Sequence, residues 1–348
     1  LSGFPYYLGQ FLLVSHFLLF SRFFSFLTAF NLAIFAGFLG GCLTIYLLAR
    51  NLGLSRPASV TTALIYTFSQ LNMWLSSMLA FNVFLFILPS LFLLALKLSR
   101  GWQPMTGFWA GALIVALSWY SVFSEFLVFS LIALILFAVW LDFWGKREVK
   151  KFWLRFRTTV LTTLFVLVGT LAGSLKILPT LGFLEHSVRA KGALGSTTFF
   201  GLGDLVTQFF PYFSLPYSSF VSFLNNNFNL YIGVMALALA VAFLVGFREI
   251  ISGDKTAGYF LLAFLFPFLM LFESSQLFEL MRKITFGISG GAWKAMFLGN
   301  FSIAILAGYG LDNIHKIKEK KQFQIMVRLL SYLSLVFVAT TFLIKTLF

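Results

Sequence analysis

Residues 126–157, FLVFSLIALILFAVWLDFWGKREVKKFWLRFR, decide the fold class of this protein. Residues 126–144 are almost wholly apolar, and a helix of that length measures about 29 Å, close to the ~30 Å hydrocarbon core of a bilayer. The basic segment 145–157 follows at once, with cations at Lys146, Arg147, Lys150, Lys151, Arg155 and Arg157. An apolar helix that ends in a cluster of cations is typical of a transmembrane helix whose end lies in the cytoplasm.

The composition of the whole chain agrees with a membrane protein. Of its 348 residues, 60% are hydrophobic, 10% are charged and 48 are Phe. The mean hydropathy is +0.94. A chain this apolar cannot bury its surface in a water-soluble core and needs lipid as its solvent. We therefore predict an all-α, polytopic transmembrane helical bundle.

Ten stretches are long and apolar enough to cross a bilayer, and each is predicted to be a helix. They are residues 31–50, 58–76, 81–98, 107–122, 126–144, 158–177, 230–247, 257–272, 292–311 and 325–345. No internal repeat or flexible linker divides the chain. A single membrane domain is therefore expected, with outer interfacial helices in 1–30, six spans in 31–177, a long extracytoplasmic loop in 178–229 and four spans in 230–348.

The loop cations lie mainly on one side of the predicted membrane. One set of alternating loops carries Arg50, Arg56, Lys97, Arg100, the six cations of 145–157, Arg248, Lys255, Lys316, Lys318, Lys320 and Lys321. The opposite set carries Lys176, Arg189, Lys191, Arg282, Lys283 and Lys294. Because cytoplasmic loops are enriched in Lys and Arg, the first set is predicted to be cytoplasmic. The net charge of +14 then indicates topology rather than nucleic-acid binding. The basic segment 145–157 is also placed to touch anionic headgroups, although topology alone explains it.

The N-terminal segment 1–30 is predicted to lie on the outer side. Residues 11–30 are apolar, but Arg22 stands in the middle of the run, so a helix along the membrane surface is favoured over a span. The chain begins with Leu1, and its first residues lack the features of a signal peptide. Either its terminus was processed or it is an internal portion of a longer protein, and we favour the second interpretation.

The extracytoplasmic loop 178–229 holds the best candidates for a polar site. Glu185, His186, Arg189 and Lys191 follow a span within a few residues, and Arg282 and Lys283 are predicted on the same side. A phosphate at headgroup depth needs such cations, since its charge cannot enter hydrocarbon unpaired. The alternative is that Glu185 and Arg189, four residues apart on a helix, form an ordinary surface ion pair.

Glu125 is a further candidate, because it lies in the outer turn between two predicted spans. A carboxylate there is placed to accept a proton or bind a cation, although an acid at the start of a helix has the same location. Metal and cofactor sites are not expected. The chain has one Cys (Cys42) and three scattered His (His16, His186, His315), and no nucleotide-binding or hydrolase motif. Gly37, Gly40 and Gly41 are predicted to serve helix packing.

Five pieces of the sequence resemble the YfhO-type bacterial membrane proteins of the GT-C glycosyltransferase superfamily. They are YLLARNLGLSRPAS at 46–59, ALIYTFS at 63–69, HSVR at 186–189, LYIG at 230–233 and AGYGLD at 307–312. The resemblance implies a multi-pass enzyme of the bacterial cytoplasmic membrane. Such an enzyme moves a sugar from a polyprenyl-phosphate carrier to an acceptor on the outer face.

The resemblance also implies a catalytic acid in a first extracytoplasmic loop, but no Asp or Glu precedes Glu125 in this chain. The acid is therefore expected upstream in a longer protein, or the chain is not catalytic. Glu125, Glu185 and His186 are the catalytic candidates, and Arg189, Lys191, Arg282 and Lys283 are the candidates for binding the donor phosphate. The alternative functions are a carrier or flippase for a lipid-linked or small polar substrate, and a noncatalytic subunit of an envelope assembly.

Overall fold

The structure, a computed structural model, describes residues 20–75, 79–121, 124–144, 156–185, 234–271, 276–285 and 295–314, together with 324–325, 328 and 332. The regular elements within these residues are all α-helices. They are α1 (Phe26–Asn51), α2 (Arg56–Thr67), α3 (Gln70–Leu75), α4 (Leu79–Ser99), α5 (Pro104–Ser121), α6 (Ser124–Trp144), α7 (Arg157–Ala172), α8 (Ser174–Glu185), α9 (Val234–Val245), α10 (Phe247–Gly253), α11 (Thr256–Leu271), α12 (Gln276–Ile284) and α13 (Met296–Ile314).

Each of the nine predicted spans before residue 325 overlaps one or two of these helices. In the described residues, three helices meet the length and apolarity of a membrane span by themselves: α1, α4 and α6. Taking α9 and α10 together as one bent span adds a fourth, and α7 and α11 are shorter apolar helices. The all-helical prediction is thus confirmed for the described residues, the apolar helices suggest a membrane protein, and the number of ten spans stays a prediction.

The first helix begins earlier than the sequence analysis predicted. α1 begins at Phe26 rather than at residue 31, because a turn at 22–24 precedes it and the Ser25 hydroxyl caps it by accepting a hydrogen bond from the Thr28 amide. Residues 26–30 thus belong to α1 and not to a separate interfacial helix. Of the rest of the predicted interfacial segment, residues 20–25 include the turn that precedes α1, and residues 1–19 lie outside the described residues.

Three of the predicted spans are interrupted in the structure, including 158–177, which divides into α7 and α8 at Gly173. The stretch 58–76 divides into α2 and α3, where the Asn72 side-chain amide donates to the backbone carbonyl of Tyr66 at 2.5 Å and replaces a helical hydrogen bond. The stretch 230–247 ends at Gly246, where α9 and α10 meet at a bend of 75°. The predicted loop 178–229 also begins later than expected, since α8 continues to Glu185.

The centre of the bundle is α13, which packs against α2, α9 and α11. Nearly every side chain of α13 is buried. Small residues allow this close packing: a Cβ at Gly310 would overlap the Leu239 carbonyl of α9. On the other side of the bundle α1 packs against α4, where a Cβ at Gly37 would lie only 2.7 Å from the Asn82 Cβ. The packing role predicted for the glycines of α1 agrees with these contacts.

Three aspartates join helix ends on one side of the bundle. Asp142 accepts hydrogen bonds from the Thr159 amide and hydroxyl at 2.7 and 2.8 Å. Asp254 accepts from the Thr256 amide at 2.9 Å, and Asp312 accepts from the Ser55 amide at 2.8 Å and from the Ser55 hydroxyl. Each carboxylate thus satisfies unpaired amides at the positive start of a helix that enters the bundle, namely α7, α11 and α2.

These contacts show which helix ends share a side. All three aspartates and their partners lie in segments that the loop charges predict to be cytoplasmic. At the opposite end, the Trp119 indole donates to the Thr170 hydroxyl at 3.1 Å and the Tyr120 hydroxyl donates to the Ala172 carbonyl at 2.9 Å. The alternation of helix directions required by the topology is therefore present in the described helices.

Candidate functional site

A long groove between α6 and α11 is the clearest candidate for a binding site in the described part of the chain. Its volume is about 630 Å³, within the range of small-molecule sites. The lining comprises Phe129, Ile132, Ala133, Leu136, Val139, Trp140, Phe143 and Trp144 of α6, Tyr259, Leu262, Ala263 and Phe266 of α11, and Leu298 of α13. Apart from the indole and phenol groups, the lining side chains are apolar.

The groove runs along α6 and opens sideways from the bundle. From Phe129 to Trp144 its lining measures about 22 Å along the helix, which is longer than the ~15 Å depth of one leaflet. Leu136 and Leu262 are 52% and 55% exposed on its two rims, so its open side is the side that would face lipid. An apolar chain therefore has access to it without crossing water.

Closely packed aromatic side chains form the floor of the groove. The Tyr259 ring lies 4.9 Å from that of Phe137 and 5.4 Å from that of Phe260, measured between centroids. The Tyr259 hydroxyl donates to the Ala133 carbonyl at 2.5 Å and ties α11 to α6 at half depth. Because this hydroxyl is already bonded within the protein, the floor offers an occupant apolar contact only.

The end of the groove on the aspartate-capped side is polar and cationic. The Trp140 indole donates to the backbone carbonyl of Lys255 at 3.0 Å and fixes the start of α11 beside α6. The Lys255 ammonium lies 4.3 Å from the centroid of the Trp144 ring, in a cation–π contact. Lys255 is exposed, so its ammonium is accessible at the mouth of the groove.

The opposite end of the groove lies near one of the sequence-predicted residues. Glu125 is half-buried in the first turn of α6, four residues before Phe129 and therefore about 6 Å further out along the helix. Lys283 is exposed on α12, which follows α11 on the same side. Glu125 thus lies on α6 beyond the outer end of the groove, and Lys283 lies on the helix that follows and contacts α11.

The remaining predicted site residues are only partly covered by the structure. Arg282 lies on α12 and Glu185 is the last residue of α8. His186, Arg189 and Lys191 lie outside the described residues, so their grouping with Glu185 stays a prediction. Among the described residues, no group of three or more His, Cys, Asp and Glu side chains is arranged to hold a metal ion.

Comparison with known proteins leaves the chain without a family. No protein-family model, curated protein or solved structure matches it. The resemblance to YfhO-type proteins therefore rests on the sequence pieces alone.

The structure nevertheless brings three of those pieces together. Ser55 of the first piece is hydrogen-bonded to Asp312 of the last. Tyr66 of the second piece places its ring 5.7 Å from that of Phe301 on the same helix, α13. The three pieces form the contact between α2 and α13, so their residues have a packing role in this chain.

The groove was not among the sites that the sequence analysis proposed. The sequence held one signal for it: Trp140 and Trp144 stand four residues apart near the end of α6, where they share one helix face. Aromatic residues are enriched where helices leave the membrane. This signal does not identify Lys255, which precedes α11 more than a hundred residues later. Only the pairing of α6 with α11 shows that these side chains share one site.

Proposed function

We propose that this protein is a GT-C-like membrane glycosyltransferase that moves a sugar from a polyprenyl-phosphate carrier to an acceptor on the extracytoplasmic face. The observation that carries the proposal is the laterally open groove whose outer end lies one helical turn from Glu125. A polyprenyl chain is wholly apolar and reaches a protein through lipid, so its binding site needs a side opening.

In this proposal the outer half of the groove, lined by Phe129, Phe266 and Leu298, holds the part of the chain next to the phosphate. The phosphate itself lies further out, at headgroup depth. Arg189 and Lys191 neutralise it, helped by Arg282 or Lys283, since charge-assisted hydrogen bonds are the strongest contacts available to a phosphate. The position of α12 beside the end of α11 supports the part given to Arg282 and Lys283.

The transfer step needs a base. The acceptor hydroxyl loses its proton to that base as its oxygen bonds to the anomeric carbon, while the sugar–phosphate bond breaks and polyprenyl phosphate leaves with the bonding electrons. Glu125 is the first acid in this sequence and lies on α6 one helical turn before the groove residue Phe129. Glu185 and His186 are the other candidates. An acid upstream of Leu1 in a longer protein would fill the same role.

Sugar transfer in proteoliposomes tests the proposal directly. The complete protein is supplied with a radiolabelled polyprenyl-phosphate sugar, and labelled product is counted for three variants. Ala263→Trp fills the groove and is expected to reduce transfer at least tenfold. The double change Arg189→Ala, Lys191→Ala is expected to raise the donor concentration needed for half-maximal transfer about tenfold or more, because each contact to the phosphate contributes roughly 1.5–3 kcal/mol.

The matched control is Leu113→Trp, which adds the same side chain at an exposed position of α5 outside the groove. It should transfer sugar as the unchanged protein does. Equal transfer by Ala263→Trp and Leu113→Trp would remove the groove from the proposal. Unchanged donor dependence in the double variant would remove the cation site.

A carrier for a lipid-linked substrate is the second candidate, and the broken helices favour it. Transporters bind polar substrates where membrane helices are interrupted. Here Thr67 and Ser69 flank the break between α2 and α3, and their buried hydroxyls make no hydrogen bond with any described residue. Movement of intact lipid-linked sugar across sealed vesicles, without transfer to an acceptor, would favour the carrier over the transferase.

A further inference from the structure

We infer that the inner end of the groove binds an anionic phospholipid of the cytoplasmic leaflet, with its phosphate on Lys255 and one acyl chain along Trp140, Phe143 and Leu136. The inference does not depend on sugar transfer. It concerns the half of the groove opposite Glu125, and it rests on the charge, the aromatic contacts and the depth of that end.

The position of the Lys255 ammonium fits a phosphate at the mouth of the groove. The ammonium lies over the Trp144 ring at 4.3 Å, while the backbone carbonyl of Lys255 accepts the Trp140 indole hydrogen at 3.0 Å. Both ends of the residue are therefore held against α6, and the side chain loses little further freedom when it binds an anion. A lysine ammonium has three donors, so it can contact a ring face and a phosphate oxygen together.

The neighbouring acid, Asp254, does not form an ion pair with Lys255. The Asp254 carboxylate accepts the Tyr309 hydroxyl at 2.6 Å and the Thr256 amide at 2.9 Å, so its oxygens are bonded to α13 and α11 rather than to Lys255. The exposed charges of α10 are Arg248 and Glu249, one of each sign. With Asp254 and Lys255 these four charges sum to zero, and Lys255 is the exposed cation that lies against the groove itself.

From Lys255 the groove runs in the direction that the acyl chain of a bound phospholipid would take. Phe143 and Trp144 are about half exposed at its inner end, and Trp residues favour the level of lipid headgroups. Above them the lining is apolar for more than the depth of a leaflet. A phospholipid whose phosphate lies on Lys255 therefore places its tail in the inner half of the groove and leaves the outer half open.

Lys97 provides a matched comparison within the same molecule. Its ammonium lies 5.4 Å from the centroid of the Trp102 ring, and it belongs to a segment predicted to be cytoplasmic. It thus shares the charge, the aromatic partner and the predicted side with Lys255. It differs from Lys255 in that it does not lie at the groove.

Native mass spectrometry of the full chain, released from nanodiscs of phosphatidylglycerol and phosphatidylcholine, tests the inference. The unchanged protein should retain phosphatidylglycerol in preference to phosphatidylcholine. Lys255→Ala should raise the phosphatidylglycerol concentration for half-saturation about tenfold, since it removes one charge-assisted contact. Lys97→Ala and Lys255→Arg should bind as the unchanged protein does, and Ala263→Trp should lose retention although its charge is intact.

Equal losses in Lys97→Ala and Lys255→Ala would overturn the inference, because they would show attraction of anionic lipid to any exposed cation. Retention unaffected by Lys255→Ala would do the same. Displacement of phosphatidylglycerol by an equal amount of undecaprenyl phosphate would overturn the choice of a phospholipid. If Lys255→Ala does not fold, Lys255→Gln and Ala263→Trp provide the same comparison, with thermal unfolding as the check on folding.

Discussion

At the scale of single residues, the acids of this protein divide into two kinds. The acids predicted to lie outside are functional candidates from the sequence, because charge at a membrane edge is costly. The structure gives the clearest roles to acids on the other side, where Asp142, Asp254 and Asp312 bind helix starts. These pairings join segments as far apart as Ser55 and Asp312, so hydropathy and charge counts could not predict them.

The bond between Asp312 and Ser55 is expected to contribute measurably to stability. Asp312→Ala removes the acceptor for the Ser55 amide and hydroxyl and should lower the free energy of unfolding by about 1–3 kcal/mol. Ser55→Ala should lower it by about 1 kcal/mol, because the amide contact remains. Since the two changes share one hydrogen bond, the double variant should lose less than the sum. Thermal unfolding in detergent, followed by circular dichroism, measures all three, and additive losses would contradict the contact.

At the scale of helices, the sequence predicted where apolar segments lie but not how they are interrupted. The apolar stretches predict the ends of α4 and α6 to within two residues and the start of α1 to within five, because length and hydropathy largely determine such helices. The break between α2 and α3 and the bend at Gly246 depend on neighbours: the Asn72 amide bonds back to Tyr66, and Asn313 packs against Gly246. The groove differs from the predicted site for the same reason, since it is formed only where α6 packs against α11.

The crossing of α9 and α13 depends on the absence of a side chain at Gly310. Gly310→Ala places a methyl group against the Leu239 carbonyl, and relieving this overlap requires α9 to move. The change should cost about 1–3 kcal/mol of unfolding free energy. Gly253→Ala is the matched control, because no atom lies within 4 Å of the added carbon and alanine favours the helix. Thermal unfolding that is equal in the two variants would contradict the close packing.

At the scale of the whole molecule, the loop cations and the hydrogen bonds between helix ends divide the helix ends between the same two sides of the bundle. Helix ends that the loop cations assign to the cytoplasm meet through Asp142, Asp254 and Asp312, and the ends assigned to the outside meet through Trp119 and Tyr120. The structure shows which ends lie together, and the cation count predicts which of the two sides is cytoplasmic. Both proposals depend on that orientation, because it decides which leaflet reaches Glu125 and which reaches Lys255.

Labelling of single cysteines in intact cells tests this orientation most directly. The native Cys42 is replaced by alanine, and one cysteine is then placed at Lys150, Lys318 or Asn226 before treatment with a thiol reagent that cannot cross the membrane. Cysteines at Lys150 and Lys318 should stay unlabelled until the cells are opened, and a cysteine at Asn226 should be labelled at once. Labelling of the cysteines at positions 150 and 318, together with protection of the cysteine at 226, would show the opposite orientation and contradict both proposals.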